Sequence, residues 1–363
     1  MASPLKFIAE FRKNAAKLEN VNLDAKPPAF WYSSGNFALN RIISGSYRFG
    51  FPQGRATALA GPSDSGKSFI LSNTMRCAQQ EGAYVLAIDT ENALDYTYLK
   101  RVGVNVSPDL FQPVQVVTIN DTVEVLSEFI ELYLKDYGKY NPQAPKVFIG
   151  IDSLSMLLTE AENENFSKGD QKGDQGQQAK QIKHFLKTMV QRIKMTNMTM
   201  VTTAHVYAAD PLKGEGMYSV TPSLRYACSQ IPLITKLKLN DEDAKGKKTT
   251  IGIRLRVETF KSRFSLIGSK VELEVPYDTG LDPLSGLVAR LVDDEVLQKG
   301  ASGWYTLEYT APSGEVISRK FQEKQLDQPL AELCLSHPKL LEIDNRFSSL
   351  SLEDEPEVES ITS

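Results

Sequence analysis

The sequence has little of what would hold it in a membrane or cross-link it. Hydrophobic residues make up 41% of its 363 positions, yet no uninterrupted apolar run approaches the length of a membrane span. No charged start followed by a short apolar stretch, the pattern that directs secretion, is seen. Three cysteines, Cys77, Cys228 and Cys334, stand far apart and are an odd number. That spacing argues against a disulfide framework and against zinc-ligand patterns, and it suits free thiols in a reducing cytoplasm. The three histidines are just as scattered, which speaks against a histidine-rich metal site. Excess positive charge is also missing. A net charge of −4 argues against a polyanion-binding surface spread over the whole molecule, while leaving room for a local basic groove.

What is present is organised around Gly61 to Ser68, GPSDSGKS, which fits the phosphate-binding pattern G-x-x-x-x-G-K-[ST] at every fixed position. The apolar run Ala56–Ala60 before it reads as a buried strand, and the stretch from Ser68 towards Gly82 reads as a helix. A strand, a Gly-rich turn and a helix N-terminus gather backbone N–H groups and the positive end of a helix dipole around one point. ATP with Mg²⁺ is the expected ligand. Gly61, Pro62, Ser63, Asp64, Ser65, Gly66, Lys67, Ser68 and Phe69 are its expected binding positions. Lys67 would reach the β- and γ-phosphates, and the Ser68 hydroxyl would ligate the metal.

Three further apolar runs, Ala83–Asp89, Val114–Ile119 and Lys146–Ser153, predict strands, and Met198–His205 predicts another. Helical periodicity between them (Leu126, Phe129, Ile130, Tyr133, Leu134, Tyr137, and later Ile182 to Ile193) predicts a parallel sheet covered on both faces. Asp121 with Glu124 resembles a capping box. From Leu233 the pattern turns to period two, over Leu233–Asn240, Ile251–Phe260 and Val271–Tyr277, as antiparallel strands do. Two irregular polar segments, about 159–178 and 206–227, interrupt the rhythm, and the first carries the tandem KGDQ-KGDQ.

Ligands of open parallel sheets bind beyond the carboxyl ends of the strands. The phosphate loop, Asp89 with Glu91, Asp152 and His205 all fall at such ends. Asp152, closing a buried run, is the expected second metal-binding position. Glu91 is placed to activate a water molecule, although the residues alone equally describe a solvated turn glutamate. His205 suits a hydrogen bond to the γ-phosphate or an ordinary polar strand end.

The series GPSDSGKS, AIDTENALDYTYLKRVGV (Ala87 to Val104) and VFIGIDSLSML resembles the RecA family of ATP-dependent recombinases. Lys261-Ser262-Arg263, GLDPLSGL (Gly280 to Leu287) and Gly303-Trp304-Tyr305 are similar too, and the resemblance covers about residues 31–310. It implies an α/β fold: a RecA-like P-loop ATPase core, mainly parallel and extended by antiparallel hairpins, over residues 31–285. A short N-terminal oligomerisation arm (1–30), a small C-terminal subdomain (286–348) and an acidic, disordered tail (349–363) complete the expected organisation. The resemblance implies Glu91 as general base. It places Asp95 and Tyr98 around adenine, Tyr98 by stacking. Lys261 and Arg263 would reach a neighbouring subunit's ATP. The two irregular segments correspond to the family's DNA-binding loops, with Phe166, Lys168 and Lys172 in the first and Lys213, Tyr218 and Arg225 in the second. His205 stands where cellular members carry glutamine, as in the phage branch. The implied activity is ATP-dependent pairing and strand exchange by a filament on single-stranded DNA. Its implied partners are homologous duplex, a single-strand DNA-binding protein and a loading mediator. A ring helicase or other DNA-dependent motor on the same fold, and a non-hydrolysing regulator, are the other readings.

Overall fold

The structure, a computed structural model, describes residues 4–18, 21–23, 27–92, 94–170, 176–208, 217–242, 248–277 and 280–349. Helix α1 (Pro4–Ala15) leads the chain and leaves Leu5, Phe7 and Phe11 largely exposed. A small ribbon of β1 (Trp31–Tyr32) and β2 (Phe51–Pro52) brackets α2 (Phe37–Ser44). The alternating unit follows: β3 (Ala56–Gly61), α3 (Lys67–Gln80), β4 (Tyr84–Asp89), α4 (Tyr96–Val102), β5 (Phe111–Gln115), α5 (Ile119–Tyr137) and β6 (Val147–Asp152). It continues through α6 (Glu160–Ser167), α7 (Gln177–Ile193), β7 (Met198–His205), the short β8 (Tyr207–Ala208) and β9 (Tyr218–Ser219), and α8 (Pro222–Ala227). The period-two region forms β10 (Gln230–Glu242), β11 (Lys248–Ser262) and β12 (Lys270–Pro276). Last come α9 (Leu287–Asp293), β13 (Leu297–Lys299), β14 (Trp304–Thr310), β15 (Val316–Gln322), α10 (Gln328–Leu335) and α11 (Pro338–Ser349).

Eight strands make the central sheet, in the order β12-β11-β10-β3-β7-β6-β4-β5. From β10 to β5 every pairing is parallel, and β10-β11-β12 is an antiparallel extension. Successive side chains of the buried strands feed opposite cores. Ile149 and Ile151 meet Leu126 and Ile130 of α5 and Leu186 and Met189 of α7, while Phe148 meets Leu71 and Met75 of α3 on the other face. Each fully buried aliphatic side chain of this kind contributes about 1.5–3 kcal/mol. Among the described residues no helix is long and apolar enough to cross a membrane.

Several local expectations are corrected. Strand β5 ends at Gln115 rather than near Ile119, because Thr118 caps α5. The capping box there is Thr118 with Asp121, each accepting the other's backbone N–H, and not Asp121 with Glu124. The first irregular segment contains α6, closed at its start by a second capping box of Thr159 and Glu162. The second contains the β8–β9 pair and α8. The tail from residue 350 on lies outside the described residues.

The C-terminal elements pack around their own core of Leu287, Leu291, Leu307, Phe321 and Leu335, into which Tyr47 also inserts. Polar contacts fasten that core to α2 and the segment after it. The Arg41 guanidinium pairs with Asp294 at 2.6 Å, and the Tyr47 hydroxyl donates to the same carboxylate at 2.8 Å. Burial raises the Asp294 carboxyl, but Arg41, helped by Tyr47 and Arg290, holds it net below its ordinary value. A depressed folded value means stability that is complete above the ordinary carboxylate range, about pH 4, and lost as pH falls through the folded value. Asp294→Asn is therefore expected to cost about 2–3 kcal/mol at neutral pH, less than a fully buried pair would. Denaturant unfolding should show that deficit shrinking as pH is lowered towards the limit at which the parent still folds. A deficit independent of pH would contradict the assignment.

Candidate nucleotide site and nucleic-acid interface

The register of the parallel strands brings the chemistry to one edge. Gly61 pairs with His205, and Asp89 pairs with Asp152, so the ends of β3, β7, β6 and β4 lie side by side. From Gly61 the chain makes a tight loop with Asp64 at φ 56° and Gly66 at φ 90°, then enters α3 at Lys67. Two glycines are needed for space. A Cβ on Gly61 would stand 2.3 Å from the Ile234 carbonyl oxygen, and one on Gly66 would stand 2.8 Å from Leu255 Cδ2. The first N–H groups of α3 have no helical acceptor and point into the loop, as at other phosphate-binding helix starts.

Lys67 is buried at this edge, where its Nζ donates to the carbonyls of Gly61 (3.2 Å) and Pro62 (2.7 Å). Burial lowers its pKa, and the charges of Asp152, Glu91 and Asp64 pull the other way. Asp152 is 1% exposed, accepts a hydrogen bond from the Thr203 hydroxyl at 2.5 Å on Oδ1, and has no hydrogen-bond partner on Oδ2. Burial raises its carboxyl against the pull of the Thr203 and Ser68 hydroxyls. A buried carboxylate oxygen without a donor, facing the Ser68 end of α3, is what a divalent cation would satisfy. Ser65 Oγ is a second buried polar atom without a partner in the same loop. The residues present fit ATP with Mg²⁺: Lys67, the loop amides and Ser65 towards the phosphates, Ser68 and Asp152 towards the metal. Among the described residues no group of three or more His, Cys, Asp or Glu is placed to hold a metal.

Glu91 is held just beyond β4. Asp89 Oδ1 accepts the Glu91 N–H (3.2 Å) and Oδ2 accepts the Leu94 N–H (3.1 Å), which curls the turn around a buried carboxylate. Thr90 braces the turn against β6, its N–H donating to the Asp152 carbonyl and its hydroxyl to the Ser153 carbonyl, both at 2.8 Å. His205 Nε2 lies 3.4 Å from Glu91 Oε1, both side chains being about a third exposed. The His205 N–H donates to Ser155 Oγ at 2.9 Å.

The remaining expected positions are distributed less simply. Asp95 is the N-cap of α4, its Oδ1 accepting the Tyr98 N–H at 2.9 Å, so its carboxylate has a structural task. Tyr98 is half-buried against the same core that Phe69 packs on, and burial pushes its phenol up to about 12. Lys261 and Arg263 are not brought to this edge. Lys261 lies at the end of β11, opposite Ile231, and Arg263 just follows the strand, beside the first residues of β3 and some 15–20 Å of strand away. Nor is Lys261 a loose surface cation, since its Nζ donates to the carbonyls of Arg225 and Cys228 (2.7 Å to the latter) and closes the C-terminus of α8. Arg263 is exposed and has no ion pair among the described residues.

In the two segments expected to meet DNA, Phe166 on α6 is 79% exposed, and Lys168 at the end of that helix pairs with Glu164 at 3.2 Å. Tyr218 lies on β9, and Arg225 on α8 stacks over Phe260 at 4.9 Å. Lys172 and Lys213 lie outside the described residues. Both segments leave from the carboxyl ends of β6 and β7, so they rise from the same edge as the phosphate loop. Sequence reasoning missed Thr203, Thr90 and Ser155. The available signal was a run of threonines inside β7, a strand otherwise buried among apolar side chains.

Residues 10–282 match the model of the RecA N-terminal domain family. The chain belongs to that family. It is similar to Protein RecA of Thermus aquaticus, at 27% identity over 299 residues, which cover 81% of this chain and 78% of that protein. Protein RecA of Leptospira meyeri is 25% identical over 319 residues, covering 86% of this chain and 74% of its own. The mixed α/β architecture, with its large and mainly parallel sheet extended by antiparallel hairpins, is the family's core.

The loop geometry makes one expectation sharp. Gly66→Ala forces an L side chain to φ 90° and against buried Leu255, at a cost of about 1–3 kcal/mol, and displaces the start of α3. Titration with a fluorescent ATP analogue should show binding weakened at least about 10-fold, with thermal unfolding shifted down. Binding equal to the parent's would mean that the loop does not grip phosphate in this conformation.

Proposed function

We propose that this protein is an ATP-dependent DNA recombinase. Its subunits assemble with ATP as a helical filament on single-stranded DNA, pair it with a homologous duplex and exchange strands. Family membership supports a RecA-like recombinase and ATPase in general. The observation that carries the finer reading is the convergence of Lys67, Asp152, Glu91 and His205 at one sheet edge, from which both candidate DNA segments also rise. A bound Mg²⁺ would supply charge neutralisation on the phosphate oxygens. Glu91, fixed by Asp89, orients and deprotonates the attacking water. Lys67 would withdraw charge from the phosphates, and Asp152 with Ser68 would hold the metal. His205, in contact with Glu91 and followed directly by the second segment, links the state of the base to the DNA-facing loop.

Lys261 and Arg263 serve the neighbouring subunit's nucleotide. The two ends of one sheet supply the two halves of the composite site: the phosphate loop at the carboxyl edge and these cations at the other. The exposed apolar face of α1 docks on the adjacent protomer. Phe166, Lys168, Lys172, Lys213, Tyr218 and Arg225 line the DNA path, where lysines neutralise phosphates and the aromatics stack on bases. A histidine at 205, where the cellular enzymes carry glutamine, supports the reading of a phage-branch recombinase of the UvsX type. A single-strand DNA-binding protein and a loading mediator are then its partners in recombination, repair and replication within the host cytoplasm.

The test uses two variants. Glu91→Gln should bind ATP as the parent does, hydrolyse it about 100-fold or more slowly, and stay on DNA. Mixing Arg263→Ala with a Lys67→Ala subunit should restore part of the ATPase activity that each lacks alone, because each supplies what the other's interface needs. Turnover in Glu91→Gln within a few-fold of the parent would remove Glu91 as the base. Simple dilution of activity in the mixture would mean that the cations do not act across subunits.

A further inference from the structure

The threonine run in β7 contains one residue whose hydroxyl serves the site. Thr203 is fully buried in the sheet, where a valine would pack equally well without a polar atom to satisfy. The neighbouring Thr202 hydroxyl is consumed by its own strand, donating to the Thr203 carbonyl at 3.1 Å. The Thr203 hydroxyl instead crosses to β6 and donates to Asp152 Oδ1 at 2.5 Å, the short end of the range for a hydroxyl on a carboxylate. The register places it there, because Ile151 pairs with Thr202 and the next residues of both strands are Asp152 and Thr203.

We propose that Thr203 is a positioning residue, which engages Asp152 Oδ1 and so holds Oδ2 towards a divalent cation. The inference rests on the reading of Asp152 as a metal ligand. Carboxylate rotation about its last torsion is soft, so an Asp at a strand end needs a second contact to present one chosen oxygen. Lys67, the adjacent cation, does not supply that contact, since its Nζ is engaged by the carbonyls of Gly61 and Pro62. Oδ2 is left buried without a hydrogen-bond partner, on a carboxyl that also feels the Ser68 hydroxyl at the start of α3. One oxygen is fixed by the fold and the other is reserved. Without the Thr203 hydroxyl the carboxylate is free to turn Oδ1 towards the cation, or to swing towards Lys67, and the metal loses a preorganised ligand.

The experiment follows the tightening that Mn²⁺ produces in the binding of a fluorescent, non-hydrolysable ATP analogue, and it needs no turnover. Thr203→Val keeps the branched shape and removes the donor, while Thr203→Ser keeps the donor and removes a methyl. For Thr203→Val, affinity without metal should equal the parent's, and the Mn²⁺ concentration for half-maximal tightening should rise about 10-fold to 100-fold. Thr203→Ser should stay close to the parent. If Thr203→Val does not fold, Thr203→Cys, similar in shape with a weak donor, is measured instead and should fall on the Val side. An unchanged Mn²⁺ requirement in the variant lacking the hydroxyl, or an equal loss in Thr203→Ser, overturns the proposal. Asp152→Asn separates the two layers: if it too leaves the Mn²⁺ requirement unchanged, the metal-ligand reading fails and Thr203 falls with it.

Discussion

A buried carboxylate and a buried ammonium share one desolvated edge of a parallel sheet, and the rest of the structure is arranged to make that tolerable. Asp152 is raised and Lys67 is lowered, each by burial, and neither satisfies the other by direct contact. Charges in such a place are costly unless they are hydrogen-bonded or met by a ligand. The fold meets part of the demand with Thr203 and the loop carbonyls and leaves Asp152 Oδ2 open. Preorganised, partly unsatisfied charge in a low-dielectric edge is what binds a metal triphosphate and stabilises charge that develops on it.

The same sheet gives the subunit two unlike ends. The parallel order β10-β3-β7-β6-β4-β5 collects the strand carboxyl ends at one edge, and the antiparallel turn of β11 returns Lys261 and Arg263 to the other. A single copy cannot bring the two edges together. On the proposed reading, repetition of the subunit does so, and each join builds one composite site. Lys261 adds a mechanical link, because in closing α8 it ties the cationic end to the helix that ends the second candidate DNA segment. On the proposed reading, nucleotide state, assembly and DNA contact run through one short stretch of chain.

Much of this was legible from sequence, and the reason is physical. Continuous apolar runs ending in Asp89, Asp152 and His205 describe buried parallel strands, and the strand-end rule then puts their last residues together without any coordinates. The period-two stretch reported its own antiparallel pairing in the same way. What escaped was structure with no apolar signature. Helix α6, EAENENFS, buries no residue and is specified by the Thr159–Glu162 cap alone, so periodicity could not find it. The start of α5 was misplaced because Val116 and Ile119 extend an apolar run that Thr118 in fact terminates. At the site, the ligands were visible as residue types, but their supports were not. Nothing in a threonine says that its hydroxyl crosses to the next strand, and the part played by Asp89 in holding Glu91 depends on a turn of five residues.

The measurement that tests the account most directly is transfer of a strand from a labelled duplex to a homologous single-stranded oligonucleotide, with and without ATP and Mg²⁺, against a heterologous duplex. The account predicts transfer that requires ATP and homology. Displacement that ignores homology and needs a single-stranded tail of one polarity would contradict it and make the protein a helicase on the same fold.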